Sequence, residues 1–337
     1  MKKQGGQLYF AWIGFQRRQI SMAPHCGFET VFLPVERRAG RIAKLRNYLR
    51  NSLAMMSMML RQRPQAVWVQ LPQVPLLWWA LLYRALVRRD AVVVADCHNA
   101  MFRPPWSRVP LGLSLLSRCD VVLAHNADVA QSALDLGVDP ERLMVVEDPP
   151  ASFLGTGSFD PGAGVPRPWF VFPASFAKDE PIAELLEAAR MQPGVTVLIT
   201  GNVANCKDQE LIRRAPANVR FVGFLSRQDF DALMIGCDAV IAFTRFDGIQ
   251  LSVCGEAVGA GKPMLISNTA TLRRLFPKGT VFVDTDRAED IAAGFTQVLE
   301  RREELAAEID KFGTEMRDHW LQTRGRPLLR RLNLGPF

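Results

Sequence analysis

Short β-rich apolar runs alternate with longer helical stretches over almost the whole of this sequence. Alternation of this kind favours parallel sheets that helices cover on both faces. The three consecutive valines at 92–94 fit such a sheet, because a strand buried on both faces shows no polar alternation. In the first half the predicted strands are Leu8–Ile13, Glu29–Pro34, Ala66–Gln70, Ala91–Ala95, Val121–Ala124 and Leu143–Val146, and the predicted helices are Arg41–Arg63, Pro75–Arg88 and Ala127–Leu136.

One stretch rich in proline, glycine and serine, residues 147–168, interrupts the pattern and is typical of a linker. The alternation then restarts, with predicted strands at Phe170–Pro173, Thr196–Thr200, Val219–Phe221, Ala239–Phe243, Met264–Ile266 and Val281–Val283, and predicted helices at Pro181–Arg190, Asp208–Ala215, Arg227–Gly236, Leu251–Gly259 and Ala288–Phe312. We therefore predict an α/β protein of two Rossmann-like domains. Its predicted parts are an N-terminal domain (1–150), a linker (151–168), a C-terminal domain (169–314) and a last helical segment (315–337) that is a candidate to pack back on the first domain.

Composition excludes several classes of protein. The hydrophobic fraction of 48% and the charged fraction of 22% are those of a globular protein, which argues against disorder, collagen and coiled coils. The longest uncharged apolar run, Val74–Tyr83, is about half of what a membrane-spanning helix needs, so we expect neither a membrane span nor a secretory signal. The cysteines form no Cys-x-x-Cys pair and the histidines are scattered, so we expect free thiols in a reducing cytoplasm and no metal site.

The net charge of +7 is unevenly distributed along the chain. Residues 1–118 contain 18 lysines and arginines against four acidic residues, whereas residues 119–337 contain 23 against 30. A basic first third indicates that this part of the protein meets an anionic surface. From the charge alone, nucleic acid, phospholipid and a phosphorylated substrate are all open.

Much of this basic charge lies in an amphipathic segment. Its apolar positions fall near helical spacing and are Ile42, Leu45, Leu49, Leu53 and Met56, and its cationic positions are Arg37, Arg38, Arg41, Lys44, Arg46 and Arg50. Pro75–Arg89 adds paired tryptophans and a basic end. Both segments suit helices that lie on an anionic bilayer surface, and the alternative is sheet-packing helices with a solvated charged face. No nucleic-acid partner is expected, because no stacking motif or recognition helix stands out.

Sequence signals for a phosphate site are confined to the second half. The chain has no Walker sequence, and the turn after the first predicted strand has the single glycine Gly14, so a nicotinamide or P-loop site is not expected. In Phe243–Thr269, by contrast, a buried strand ends in a loop that has Asp247-Gly248 at its turn. A helix then begins near Ser252, and the amide groups at its start would bind phosphate. Glu256 lies one turn further, where its carboxylate would accept hydrogen bonds from ribose hydroxyls. The alternative is an ordinary loop and helix with an exposed glutamate.

This segment resembles the nucleotide-binding signature of retaining GT-B glycosyltransferases of family 4. The resemblance rests on Glu256-Ala257, on Gly261-Lys262-Pro263 and on the apolar strand that follows. Asp247 stands where the family has glutamate, nine instead of eight positions before Glu256, and Gln250 and Ser252 replace glycine and proline. The resemblance implies a GT-B fold, in which two parallel sheets face a central cleft, with the donor site in the C-terminal domain.

Other stretches of the C-terminal domain resemble the same family. Val171–Lys178 resembles its phosphate-contacting strand and loop, although Lys178 also fits an ordinary solvated lysine. Thr200-Gly201-Asn202 resembles a nucleotide-lining loop, and the run that ends at Phe224 resembles the segment that frames the base. The resemblance implies donor binding by Ser175, Lys178, Gly201, Asn202, Phe224, Gly248, Leu251, Ser252 and Glu256, with Asp247 as a catalytic candidate beside the sugar.

In the N-terminal domain, Val92–Phe102 resembles the acceptor-domain segment of transferases related to the chitobiosyl-diphosphodolichol mannosyltransferases. An Asp-x-His-Asn run ends the corresponding strand there, and here it is Asp96, His98 and Asn99. The resemblance implies that His98 orients the acceptor hydroxyl or a donor phosphate, with Asp96 as an alternative general base. The residues expected on the acceptor side are Gly14, Asn99 and His125, although the pair His125-Asn126 also fits a helix cap.

Together these features predict a metal-independent glycosyltransferase without a cofactor. It would move a sugar from a UDP- or GDP-linked donor to a hydroxyl of a lipid-linked saccharide, in the assembly of exopolysaccharide or another surface glycan. We expect a cytoplasmic protein, peripheral on the inner face of the plasma membrane. The alternative is a catalytically silent GT-B homologue that acts as a scaffold or binding subunit, which the altered Glu-Gly loop motivates.

Overall fold

The computed structural model describes residues 6–35, 40–153, 158–162 and 164–334, so Arg37 and Arg38 lie outside the described residues. The chain divides into two compact units, unit 1 from Met1–Pro149 with Asp318–Phe337 and unit 2 from Pro150–Arg317. Each unit contains a six-stranded sheet in which every described pairing is parallel. The predicted α/β fold with two Rossmann-like domains is confirmed.

The sheet of unit 1 has the strand order β2-β1-β3-β4-β5-β6. Its strands are β1 (Gln7–Ala11), β2 (Phe28–Phe32), β3 (Ala66–Leu71), β4 (Val92–Cys97), β5 (Val121–Ala124) and β6 (Leu143–Val145). The strands β1, β3 and β5 are buried at every residue, as their uninterrupted apolar runs predict. Each strand predicted in this half is confirmed to within two residues at either end.

Four α-helices cover this sheet: α1 (Arg17–Cys26), α2 (Arg41–Gln62), α3 (Val74–Leu86) and α4 (Ala127–Asp135). The sequence did not predict α1, because it starts with two arginines and contains Pro24. The helix ends at Gly27, whose φ of +75° is the left-handed conformation that glycine adopts without strain. At the start of α4, the side chain of Asn126 accepts a hydrogen bond from the Val129 amide at 2.9 Å, as the capping alternative predicts.

Helix α2 turns its leucines away from the sheet. We call Ile42, Leu45, Leu49, Leu53 and Leu60 the leucine stripe, and its side chains are between 49% and 86% exposed. The opposite face is buried, although it carries polar residues; it contains Asn47, Asn51, Ser52, Met55 and Met59. Asn51 donates from Nδ2 to the Leu33 carbonyl at 2.8 Å, so a buried amide ties α2 to the chain that leaves β2. The alternative of an ordinary sheet-packing helix with a solvated charged face does not describe α2, because its exposed face carries the leucine stripe.

The sheet of unit 2 has the order β12-β11-β10-β7-β8-β9. Its strands are β7 (Trp169–Pro173), β8 (Thr196–Thr200), β9 (Val219–Gly223), β10 (Ala239–Ala242), β11 (Met264–Ser267) and β12 (Thr280–Val283). Its helices are α5 (Ile182–Met191), α6 (Gln209–Arg213), α7 (Arg227–Gly236), α8 (Ser252–Gly259), α9 (Ala270–Leu275), α10 (Ala288–Glu300) and α11 (Arg302–Trp320). The short helix α9 was not predicted, and the predicted helix Ala288–Phe312 is two helices that meet at Arg301.

The end of the chain belongs to unit 1. After α11 a single π-helical turn, Leu321–Gly325, leads into α12 (Arg326–Leu332). Trp320 donates from its indole nitrogen to the Glu147 carbonyl at 2.7 Å, and Leu328 and Leu332 join the same apolar cluster as Tyr9 and Trp68. The final segment therefore covers one face of the first sheet.

Each sheet has a switch point, where two neighbouring strands continue to opposite sides. In unit 1 it lies between β1 and β3, and in unit 2 between β7 and β10. The loops that follow these strands diverge, which leaves a crevice at the carboxyl ends where ligands of open α/β sheets bind. The fold thus predicts a ligand-binding site at the carboxyl ends of the strands of each sheet, beside its switch point.

Two further expectations concern the whole chain. No helix in the part of the chain that the structure describes is long and apolar enough to cross a membrane. The six cysteines are buried and free.

Candidate active site

The crevice of unit 2 is closed at its base by contacts between the β7 and β10 loops. Thr244 donates from its hydroxyl to Asp179 at 2.7 Å, and the amide of Arg245 donates to the Asp179 carbonyl at 2.9 Å. Arg245 also forms ion pairs with Glu184, at 2.7 Å, and with Asp286. The hydrogen bond that Arg245 donates to Glu184 is the main cause that raises the pKa of Arg245. Sequence reasoning missed Arg245, because an arginine after a strand carries no motif of its own.

The β7 loop already holds a carboxylate. The amides of Ser175 and Phe176 donate to Glu180 at 3.0 and 2.8 Å, and the Ser175 hydroxyl donates to it at 2.6 Å. Ser175, predicted as a diphosphate ligand, therefore has its donors on Glu180 in this structure, and a phosphate there must displace that side chain. Lys178 lies on the same loop and is exposed to solvent.

Gly201 fixes the neighbouring loop by close approach. Its φ is +109°, and a Cβ atom there would lie 2.0 Å from the Ala174 carbonyl oxygen. Its amide donates to the Gly223 carbonyl at 2.8 Å, which places the loops after β7, β8 and β9 side by side. Asn202 uses its side chain to accept from the Ala204 amide at 3.1 Å, so it shapes this loop, whereas Phe224 is 86% exposed.

Asp247 anchors the loop between β10 and α8. Its carboxylate accepts hydrogen bonds from the Gly248 amide at 2.7 Å and from the Thr271 amide at 3.0 Å. Hydrogen bonds from the Thr271 side chain and backbone, and then from Gly248, lower the pKa of Asp247. Gly248 adopts a φ of +77°, which the turn requires. Asp247 thus holds this loop closed, and its catalytic role remains a prediction.

Helix α8 begins at the same edge with an open N-terminus. Leu251 occupies the N-cap position, and its side chain makes no capping hydrogen bond to the first amides of the helix. Ser252 is exposed and Glu256, one turn further, is half-buried. Uncapped amides at a helix start, together with the helix dipole, favour an anion.

A small polar cavity of about 290 Å³ lies at the carboxyl ends of β10, β11 and β12. Thr244, Arg245 and Asn268 line it, and so does Asp284-Thr285-Asp286. The prediction of a metal-independent enzyme assumes that the sequence has no Asp-x-Asp motif, but Asp284-Thr285-Asp286 is such a run. Asp286 is paired with Arg245. Among the described residues, no group of three or more His, Cys, Asp and Glu side chains is arranged to hold a metal ion.

The corresponding edge of unit 1 holds a buried polar network. Asp96 is fully buried and accepts hydrogen bonds from Arg18, from Nε at 2.9 Å and from Nη2 at 3.1 Å. It also accepts one from the Tyr9 hydroxyl, and His125 Nε2 lies 3.1 Å from its Oδ1. Arg18 also forms an ion pair with Asp148. Sequence reasoning missed Arg18 and Tyr9, since nothing marks a buried arginine in a basic stretch.

These contacts decide the charge state of Asp96. Burial alone disfavours its carboxylate, but Arg18 and then His125 more than offset that cost and hold the pKa of Asp96 well below its usual range. The same carboxylate helps to keep Arg18 charged. A fully buried carboxylate of such low pKa is a poor general base, so the alternative role proposed for Asp96 does not fit its surroundings. It is instead the anchor that holds His125.

His98 follows β4 and is half-buried. Its ring lies edge-on to that of His125, with 5.3 Å between the centroids. Burial, and then the neighbouring His125, lower the pKa of His98 below its ordinary value, so its imidazole is neutral at neutral pH. Asn99 and Gly14 are exposed at the same edge of unit 1. The structure therefore brings His98, Asn99 and His125 together at the ends of β4 and β5.

Comparison with protein-family models gives a match for residues 158–316, to the family described as glycosyl transferases group 1. The matched residues all lie within unit 2, which is therefore similar to a group 1 glycosyltransferase domain. The match covers slightly less than half of the chain and includes none of β1 to β6. A search of curated proteins found no match.

Solved structures with the same two-domain GT-B fold match nearly the whole chain. HepE of Anabaena, in complex with UDP and glucose, has a TM-score of 0.59 at 14% identity, covering 96% of this chain and 99% of that one. Sucrose-phosphate synthase of Thermosynechococcus elongatus has a TM-score of 0.54 at 13% identity, over 96% and 87%. UDP-GlcNAc 2-epimerase of Neisseria meningitidis, bound to UDP-GlcNAc, has 0.50 at 14%, over 96% and 99%. A synthase and an epimerase thus share the fold, so the fold alone does not decide between these activities.

The buried ion pair generates a prediction about stability. We expect Asp96→Asn to lower the free energy of unfolding by about 3–5 kcal/mol, because it leaves Arg18 charged and buried with less compensation. The stabilisation from a carboxylate of depressed pKa is complete above its unfolded pKa of about 3.9 and is lost as the pH falls below it. The free energy of unfolding, measured with urea, should therefore differ less between wild type and variant at pH 3 than at pH 7.

The exposed Asp135→Asn is the matched control and should change stability by less than about 0.5 kcal/mol. A gap for Asp96→Asn that is below about 1 kcal/mol at pH 7, or that widens in acid, would contradict the assignment.

Proposed function

We propose that the protein is a glycosyltransferase that uses a UDP- or GDP-linked sugar, with the donor on unit 2 and the acceptor on unit 1. The observation that carries the proposal is the group 1 glycosyltransferase match of residues 158–316, on a domain whose open α8 start and Glu256 lie at the ligand-binding edge. The same match favours transfer over epimerisation. UDP or a UDP-sugar is bound to HepE of Anabaena and to the Neisseria epimerase, which supports a nucleotide-linked sugar.

On unit 2 the diphosphate, the ribose and the base of the donor each have a suitable partner. The uncapped amides from Ser252 onward and the exposed Lys178 suit the diphosphate, and Glu256 suits the ribose hydroxyls. The exposed ring of Phe224 offers an apolar surface beside the base. Lys178 and the amide dipoles would offset the charge that develops on the leaving diphosphate, so the proposed reaction needs neither a metal nor a cofactor.

On unit 1 we assign His98 as the group that receives the acceptor proton. In the proposed step the acceptor hydroxyl oxygen forms a bond to the anomeric carbon, and the nucleoside diphosphate leaves with the electron pair of the broken carbon–oxygen bond. The hydroxyl proton passes to the neutral imidazole of His98, which its lowered pKa keeps ready at neutral pH. His125, held by Asp96, positions the His98 ring.

The acceptor we propose is a lipid-linked saccharide at an anionic membrane surface, in surface-glycan assembly on the cytoplasmic side. The leucine stripe supports it, because a soluble helix normally buries such residues. Arg46, Arg50 and Arg61 flank the stripe on one side at helical spacing. Helix α3, which contacts α2, adds the exposed Trp78, Leu82 and Leu86, at four-residue intervals. Apolar residues edged by cations fit the headgroup region of a bilayer.

The donor assignment is tested by isothermal titration with UDP and GDP and by sugar transfer from the matching donors. Wild type should bind one of the two nucleotides, and Glu256→Gln should weaken that binding by about 10- to 100-fold through the loss of charged hydrogen bonds to ribose. Glu303→Gln, an exposed glutamate on α11, is the control and should bind as wild type does.

If neither nucleotide binds, the enzyme assignment is wrong. If a nucleotide binds but no donor and acceptor pair ever turns over, the catalytically silent scaffold is the correct description.

The membrane assignment is tested by co-sedimentation with vesicles. The triple variant Leu45→Ser, Leu49→Ser, Leu53→Ser should lose most of its binding to anionic vesicles and keep its melting temperature, because these side chains are exposed. Arg46→Gln with Arg50→Gln should weaken binding to anionic vesicles about tenfold or more, at ~1 kcal/mol per charge. The control Leu134→Ser with Leu136→Ser removes exposed leucines elsewhere in unit 1. Unchanged sedimentation of the stripe variant would rule out the proposed surface.

A further inference from the structure

A second cavity lies at the switch point of unit 1, apart from the histidine pair. Its volume is about 460 Å³, within the ~300–1,000 Å³ range usual for small-molecule sites. Gly14 and its neighbours from the loop after β1 line one side, and Gln73 from the loop after β3 lines another. Lys44 and Tyr48 of α2 complete the wall. The cavity therefore occupies the place where ligands of such sheets bind.

Three of the eight residues that line this cavity are aromatic. Trp12 and Tyr48 are stacked, with 5.3 Å between the ring centroids and 29° between the planes, and Phe15 lies on the same loop as Trp12. Lys44, which is exposed, adds a positive charge one helical turn before Tyr48. An aromatic ring beside a cation suits a ligand that has an apolar face and an anionic group.

Trp12 also has an unused hydrogen-bond donor. Its side chain is only 1% exposed, and among the residues that the structure describes its indole Nε1 has no hydrogen-bond partner. A buried donor without an acceptor is costly, and native proteins keep few of them. Because Nε1 is itself buried, the ring that this wall offers to a ligand is that of Tyr48, which packs on Trp12.

We infer that this cavity binds a glycosyl phosphate, one pyranose ring with the phosphate attached to it. The ring would lie against Tyr48 through its C–H face, with Trp12 behind Tyr48, and the phosphate would pair with Lys44. This inference rests on the proposed function, in which the acceptor is a saccharide linked to lipid through phosphate, and it names where the head of that acceptor sits.

The leucine stripe supports a lipid-linked form of this ligand. Lys44 and Tyr48, which line the cavity, each precede a stripe residue, Leu45 and Leu49. Consecutive residues of a helix differ by about 100° in direction, so α2 borders the cavity with one side and presents the stripe with the next. A sugar phosphate in the cavity would leave its lipid chain at the stripe.

The test uses saturation-transfer NMR on the full chain with soluble probes, N-acetylglucosamine 1-phosphate and glucose 1-phosphate. Free N-acetylglucosamine and inorganic phosphate separate the contributions of the ring and the anion. Wild type should saturate the ring protons of at least one sugar phosphate. Tyr48→Leu should reduce its affinity about tenfold or more, and so should Lys44→Gln. Lys44→Gln should leave any signal of the free sugar unchanged, and Lys278→Gln, at an exposed lysine of unit 2, is the matched control.

The variants at Lys44 replace an exposed side chain, so a loss of binding there cannot come from misfolding. Equal binding by wild type, Tyr48→Leu and Lys44→Gln, or no ring saturation by either sugar phosphate, overturns the inference. Competition by UDP at the same signals also overturns it, because the cavity would then be a nucleotide site. UDP and GDP titrations on the same samples report donor binding separately, so a failed cavity and a failed donor site are distinguishable.

Discussion

Both units depend on one topological constraint. Beside the first strand of each sheet, the direction in which successive strands are added across the sheet reverses, while the strands themselves stay parallel. β1 lies between β2 and β3, and β7 lies between β8 and β10. Every strand is parallel, so all the following loops emerge at one edge, and only at the reversal do they separate enough to admit a ligand. The two arrangements use that space differently. In unit 2 polar side chains and the start of α8 lie there. In unit 1 the same place is a cavity lined in part by aromatic side chains.

The ion pair between Arg18 and Asp96 has the same organising role within unit 1. It joins α1 to the end of β4, and through His125 it reaches the end of β5. Burying two charges is favourable only when their hydrogen bonds are satisfied, and here Tyr9, His125 and Asp148 complete the set. The result is a fixed carboxylate behind a pair of imidazoles, one of which has a lowered pKa. Rigid support of this kind is what a proton-accepting group needs.

The strands and the domain class were predictable because apolar runs buried on both faces leave a clear periodic signal. Helix α1 was missed for the opposite reason, since Arg18 is buried and the sequence shows only a basic, proline-containing stretch. The amphipathic character of α2 was predictable, but not which face turns outward. That depends on the buried Asn51 and its bond to the Leu33 carbonyl, a long-range contact that periodicity does not encode. Likewise, Ser175 was found by position in a motif, but its engagement with Glu180 was not.

The donor nucleotide is proposed to bind at the switch point of unit 2. Hydrogen–deuterium exchange of the full chain, with and without saturating UDP or GDP, reports on that place. Bound nucleotide should slow exchange at the first amides of α8, Ser252 and Val253, and in the loop after β7 that carries Lys178. Protection confined to unit 1, or no change in either unit with both nucleotides, would show that the nucleotide does not bind there.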